Sequence, residues 1–166
     1  MLGESPQSAS EPLFELSELI AQEEKYQFDC FTQKNVRRMG EIMLSICDEY
    51  SMDFAIAIYL NGITVFKYLP EGTKRTHDIW LEKKINTVMT MGWSTMRTWA
   101  FFDQLGNKRK PEVIPSGEIV FCGGGFPINV KGAGVIGVLA ASGPGDQNDH
   151  EFLIEALKRY FEEQSR

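Results

Sequence analysis

The sequence predicts an α+β domain in which an antiparallel sheet is layered with helices. Asn61-Gly62 stands between two β-rich runs in DFAIAIYLNGITVFKYLP, and that dipeptide is what a two-residue type I′ hairpin prefers. A second pair of β runs, at 118–130 and 133–141, flanks a glycine-bearing turn at 131–134. Segments with apolar residues at helical spacing surround both pairs. Two hairpins mean antiparallel strands, which argues against a doubly wound parallel sheet.

Taken in order, residues 1–11 are rich in Ser, Pro and Gln and are expected to be a disordered tail, with one domain over 12–166. Leu13, Leu16, Leu19 and Ile20 recur as on a short amphipathic helix. YQFDCF (26–31) reads as a short strand. Thr32 or Asn35 is placed to cap a long helix to about Tyr50, with Val36, Met39, Met43, Ile46 and Tyr50 on its apolar face. Strands follow at 53–60 and 63–69. The next helix spans about 75–90, striped by Leu81, Ile85, Val88 and Met89. Ser94 caps a further helix to Leu105, which Gly106 stops. After a basic loop (NKRKP, 107–111) come the second pair of strands. Asp146 or Asn148 then caps a last helix that buries Phe152, Leu153, Ala156, Leu157 and Tyr160.

Composition narrows the function. The 166 residues suit a single domain, and 43% hydrophobic with 24% charged is a globular mix. A net charge of −6 argues against non-specific nucleic-acid binding, which needs a basic surface. No apolar run is long enough for a membrane span, and MLGESPQSASEP has neither the basic nor the apolar part of a secretory signal. Cys30, Cys47 and Cys122 have no CxxC spacing and fit thiols of the cytoplasm better than a disulfide framework. Two histidines and scattered cysteines give no zinc spacing.

FCGGGFPINV (121–130) and GAGVIG (132–137) invite a dinucleotide reading, since the second matches GxGxxG. That fingerprint needs a helix opening directly from the glycines to hold the pyrophosphate. After Gly137 only VLAAS precedes Gly143-Pro144-Gly145, which is too short, and Pro144 blocks an extension. No Gly-Lys-Ser/Thr follows a glycine loop either. Gly123, Gly124 and Gly125 therefore mark a bulge or a close approach inside a strand, by another backbone or a ligand, as suits a ligand floor or a subunit contact. Pro127 implies that the strand is at an edge or is broken there.

GGGFPINVKGAGVIGVLAASG followed by DHEFLIEAL resembles the C-terminal signature of the haem-degrading-domain family that includes GlcG and HbpS proteins. IWLEKKINTV (79–88) is similar to a poorly characterised bacterial and fungal branch of it. The resemblance runs from about residue 13 to 160. It implies a profilin-like three-layer domain, an antiparallel sheet between helices, and assembly into homo-oligomers. It also implies a link to haem, because some relatives bind or degrade it. Where bacterial members often carry a histidine before the glycines, this chain has Cys122.

Several residues are candidates to hold a ligand. The resemblance points to the pair Asp149-His150, where carboxylates suit a helix N-terminus and the dipole favours neutral imidazole. His77, Trp80 and Lys84 share a helix face and could hold an anionic planar ligand such as haem by stacking and charge. The Lys84 stem could equally pack over Trp80 with its ammonium in water. Cys122 is a conceivable thiolate ligand beside Gly123–Gly125, Phe126 and Pro127, although a buried inert thiol is the commoner case. The leading expectation is a cytosolic homo-oligomeric binding protein of that family. No motif establishes catalysis. In the competing reading it is an assembly protein, whose glycine strand and aromatic helix (WSTMRTWAFF, 93–102) contact other subunits or a protein partner.

Overall fold

A computed structural model of the chain describes residues 14–106 and 113–166; the expected tail over 1–11 and the basic loop 107–111 lie outside the described residues. The elements are α1 (Leu16–Lys25), α2 (Gln33–Tyr50), β1 (Ala55–Leu60), β2 (Ile63–Tyr68), α3 (Arg75–Met91), α4 (Thr95–Gln104), β3 (Gly125–Val130), β4 (Gly134–Ser142) and α5 (Asp146–Gln164). The four strands form one antiparallel sheet in the order β2-β1-β4-β3. The expected layering is present, with helices on both faces.

Strand alternation builds the layers. Ile56, Ile58 and Leu60 of β1 join Leu139 and Ala141 of β4 in a large core under α2 and α5. The residues between them, Ala55, Ala57, Val138 and Ala140, face Leu81, Ile85 and Val88 of α3. The small side chains on that face let α3 lie close to the sheet. Leu19 of α1 packs with Met96 and Ala100 of α4 in a third cluster.

Local chemistry sets the joints. Asn61 (φ 50°) and Gly62 (φ 89°) both take the left-handed conformation that a type I′ turn requires. The Asn35 side chain accepts from the Thr32 N–H at 2.7 Å, so Thr32 is the N-cap of α2. Ser94 caps α4 by accepting from the Arg97 N–H at 3.1 Å. Its own N–H donates to Glu23 of α1, which also pairs with Arg97 at 2.6 Å, so α1 and α4 are tied through one carboxylate.

Four local expectations are corrected. The segment 26–31 is no strand; Phe28 makes a single parallel bridge to Val130, and Tyr26, Phe28 and Phe31 are core residues. The strand expected from 118 begins only at Gly125. Gly124 (φ 93°) breaks the extended run, and the N–H groups of Val120 and Gly123 donate to Thr87 and Asp146 side chains instead of a ladder. Gly145, with no capping side chain, precedes α5, so neither Asp146 nor Asn148 is the cap. Tyr50 ends α2 half-exposed, outside the core face assigned to it.

Candidate functional site

The glycines of FCGGGFPINV answer to the chain's own backbone. A Cβ on Gly123 would come closer than 3.0 Å to the Asp146 carbonyl, and one on Gly124 as close to the Ala141 carbonyl, to Asp149 Cβ and to Lys84 Nζ. On Gly125 it would meet Thr95 Cγ2 at 2.6 Å. The close approach foreseen from sequence is thus made by β4, α5 and α4 packing onto bare backbone.

Lys84 and Asp149 lie at the centre of this knot, with side chains 2% and 4% exposed. Lys84 Nζ donates to Asp149 Oδ2 at 2.7 Å and to the Ala141 carbonyl at 2.8 Å. Asp149 Oδ1 accepts from the Gly143 N–H at 2.7 Å. Burial pushes the Asp149 carboxyl above its ordinary value, opposed by the Lys84 charge and by these hydrogen bonds. Lys84 therefore keeps its ammonium inside the protein, not in water beside Trp80, which stays half-exposed. Cys122 is buried in the same knot, and burial raises its thiol to about 12. Phe126 and Pro127 are buried on β3, which is indeed an edge strand.

His150 follows Asp149 on α5 but faces elsewhere. It is fully buried, with Nε2 2.8 Å from Gln22 Oε1 of α1 and the Phe14 ring at 4.9 Å. Nε2–H donating to Gln22 leaves Nδ1 as a buried acceptor without a partner among the described residues. Burial lowers the imidazole from 6.5 to about 4. The unfolded chain therefore takes up this proton first. The stability that His150 contributes is full above the unfolded value and is lost as pH falls toward the folded one, about 3 kcal/mol in all. Urea unfolding at pH 7 and pH 4.5 should show a loss in the wild type that is smaller by about 2 kcal/mol in His150→Leu. An equal loss in both proteins would mean that other groups govern acid stability.

His77 occupies the accessible place. It stands in the first turn of α3, with Nδ1 3.0 Å from the Lys74 nitrogen and 3.3 Å from the Lys74 carbonyl oxygen. Nδ1 accepts from the Lys74 N–H, which leaves the ring proton on Nε2. Only the other tautomer, which gives up that bond and donates from Nδ1 to the Lys74 carbonyl, presents Nε2 as a lone pair. His77 lines a cleft of about 440 Å³ at the end of the sheet, where three connections converge. The α2–β1 link supplies Ser51, Met52 and Asp53; the β2–α3 link supplies Pro70–Thr73; and the β4–α5 turn supplies Ser142, Gly143 and Pro144. Ser142 is buried and its hydroxyl has no hydrogen-bond partner among the described residues.

The structure thus splits the sequence candidates. Lys84, Asp149, Cys122 and Gly123–Gly125 form one enclosed knot, His150 sits under α1, and His77 and Trp80 remain open. Sequence reasoning missed the cleft residues of the three links, because only folding brings them together. Among the described residues no three His, Cys, Asp or Glu side chains gather to hold a metal ion, and no helix is long and apolar enough to cross a membrane. The aromatics of segment 93–102 pack largely within the chain: Trp93, just before α4, against Phe101 at 5.1 Å, Arg97 over Trp93 at 4.5 Å, and Phe102 against Phe121 at 5.5 Å.

The family model described as haem degrading protein HbpS-like matches residues 31–158. A UPF0303 protein of Psychromonas ingrahamii is 30% identical over 146 residues, covering 87% of this chain and 91% of that one. Among solved structures, the Ybr137w protein superposes with a TM-score of 0.80 at 23% identity, over 91% of this chain and 90% of that one. HbpS does so at 0.62 and 18% identity, over 80% and 92%. A PduOC:haem complex follows at 0.60 and 15% identity, over 78% and 94%.

Proposed function

Because the chain belongs to the family of HbpS-like haem-degrading proteins, we propose that it binds haem or a similar planar anionic small molecule, in the cleft where His77 stands. One observation carries this placement. Of the two histidines, His77 lines an open cleft while His150 is wholly enclosed.

The cleft residues fit such a group. His77 Nε2 has no hydrogen-bond partner among the described residues, and in the tautomer that donates from Nδ1 to the Lys74 carbonyl it can meet iron. Met52, Ala55, Pro70 and Pro144 give apolar walls, as ligand pockets of this size generally have. The Lys74 ammonium is exposed and has no ion-pair partner among the described residues, so it can meet a propionate. Asp53 and Glu71 repel carboxylates and so direct the propionates toward the Lys74 side. Haem, when bound, supplies a redox-active iron; the chain's own residues supply binding and orientation.

The same reading makes the protein a homo-oligomer of the cytosol. Ile63 and Tyr68 on edge strand β2, with Ile79 and Trp80 on α3, are large apolar side chains left exposed, which supports contact with further copies. Three free cysteines support a reducing compartment.

Titration with ferric haem should give a saturable, equimolar Soret shift. It should be lost in His77→Asn, which keeps an acceptor for the Lys74 N–H, and retained in His150→Ala and Cys122→Ala. Loss in His150→Ala with His77→Asn unaffected would move the site under α1, and a non-saturating response in every protein would overturn haem as the ligand.

A further inference from the structure

A second concavity lies in the α2/α5 layer, between the C-terminal end of α2 and the first turns of α5. We propose that it docks a cationic amphipathic helix of a protein partner. The inference does not rest on the haem reading, although the two concavities adjoin at Met52, which lines both.

The groove has a volume of about 300 Å³. Its floor is Ile46, Phe54 and Phe152, the two rings stacked at 4.2 Å. Tyr50 forms one wall and is 54% exposed, although the period of α2 marks it as a core position. A large aromatic held open beside a rigid apolar floor is the kind of residue that anchors a partner. Nothing in the rest of the described chain covers it.

The rim sets the chemistry of the occupant. Glu151 and Glu155 line the groove along α5. Glu151 is bonded by Gln147 Nε2 at 2.8 Å and by no cation among the described residues. Arg159, the cation beside Glu155, is already held between Glu155 and Glu49, each at 2.7 Å. The rim is thus net negative over an apolar floor, on a chain of net charge −6. A helix with apolar anchors on one side and Lys or Arg beside them matches both features. Two copies of this acidic face would repel each other, which disfavours self-pairing there.

The test uses the full chain, ¹⁵N-labelled, and a synthetic helical peptide with leucines on one face and lysines on the other. Amide shifts are expected at Tyr50, Met52, Asn148 and Glu151. Tyr50→Ala and Glu151→Lys should each weaken binding at least about tenfold, while Glu18→Lys on α1 leaves it unchanged. A peptide with glutamates in place of the lysines should not bind. Equal weakening by Glu18→Lys and Glu151→Lys, with shifts spread over all acidic surfaces, would reduce the effect to bulk charge and overturn the proposal. Self-association abolished by Tyr50→Ala, in the absence of peptide, would assign the groove to a second copy and overturn it equally.

Discussion

Asp149→Ala is expected to unfold the protein or bring it close to unfolding, with a loss of about 3–5 kcal/mol. The substitution removes the partner of a buried ammonium and the acceptor of the Gly143 N–H together. Lys84 extends from α3 to β4 with its side chain 2% exposed, so its charge would be left with the Ala141 carbonyl and no counter-charge. Of a typical stability of about 5–15 kcal/mol, such a loss is a large share. The double variant Lys84→Met/Asp149→Leu should be more stable than Asp149→Ala alone, because no orphaned charge remains. Urea unfolding of the three proteins measures this. A double variant less stable than Asp149→Ala would show that the pair does more than neutralise itself.

Gly124→Ala should be the next most damaging change. The left-handed φ of 93° costs an alanine about 1–3 kcal/mol. Overlap of the new methyl with the Ala141 carbonyl, a backbone atom that cannot turn aside, adds about 1–3 kcal/mol. Gly132→Ala provides the control. Its φ of 78° is similarly left-handed, but nothing lies within 4 Å of the added carbon, so only the backbone part is lost. Thermal unfolding that placed the two variants level would mean that the knot yields to a methyl group, and that a ligand could enter it.

Those two positions show what was legible in the sequence. Asn61-Gly62 announced its hairpin because a two-residue turn imposes positive φ on both residues, and few side chains accept that. GAGVIG could be recognised as turn and strand, since no helix-length segment follows it. The triple glycine announced a close approach, but its partner was invisible. Asp146, Ala141 and Thr95 reach Gly123–Gly125 only through tertiary packing, and backbone carbonyls leave no residue signature. Lys84 misled for a related reason. A lysine on a helix next to an apolar stripe ordinarily extends to water, and the carboxylate that holds this one inside is 65 residues away.

The candidate site was legible in its members and hidden in its grouping. Resemblance and residue type brought forward Asp149, His150, Lys84 and His77. Position 149 points into the knot and position 150 toward α1, because successive helix residues are about 100° apart. The cleft depends on three connections, and its hydroxyls and prolines are ordinary turn residues when read along the chain. Ser142 ends β4 at the cleft, and its hydroxyl has no hydrogen-bond partner among the described residues.

The entry of the ligand at the sheet end, and not at the glycine strand, is tested most directly by the paramagnetism of ferric haem. Amide signals of the ¹⁵N-labelled protein are recorded with and without an equimolar amount. Broadening is expected at Ser51–Asp53, Glu71–His77 and Ser142–Gly143, with Gln22 and Gly123 unchanged. Broadening centred on Gln22, Cys122 and His150, with the cleft signals intact, would contradict it.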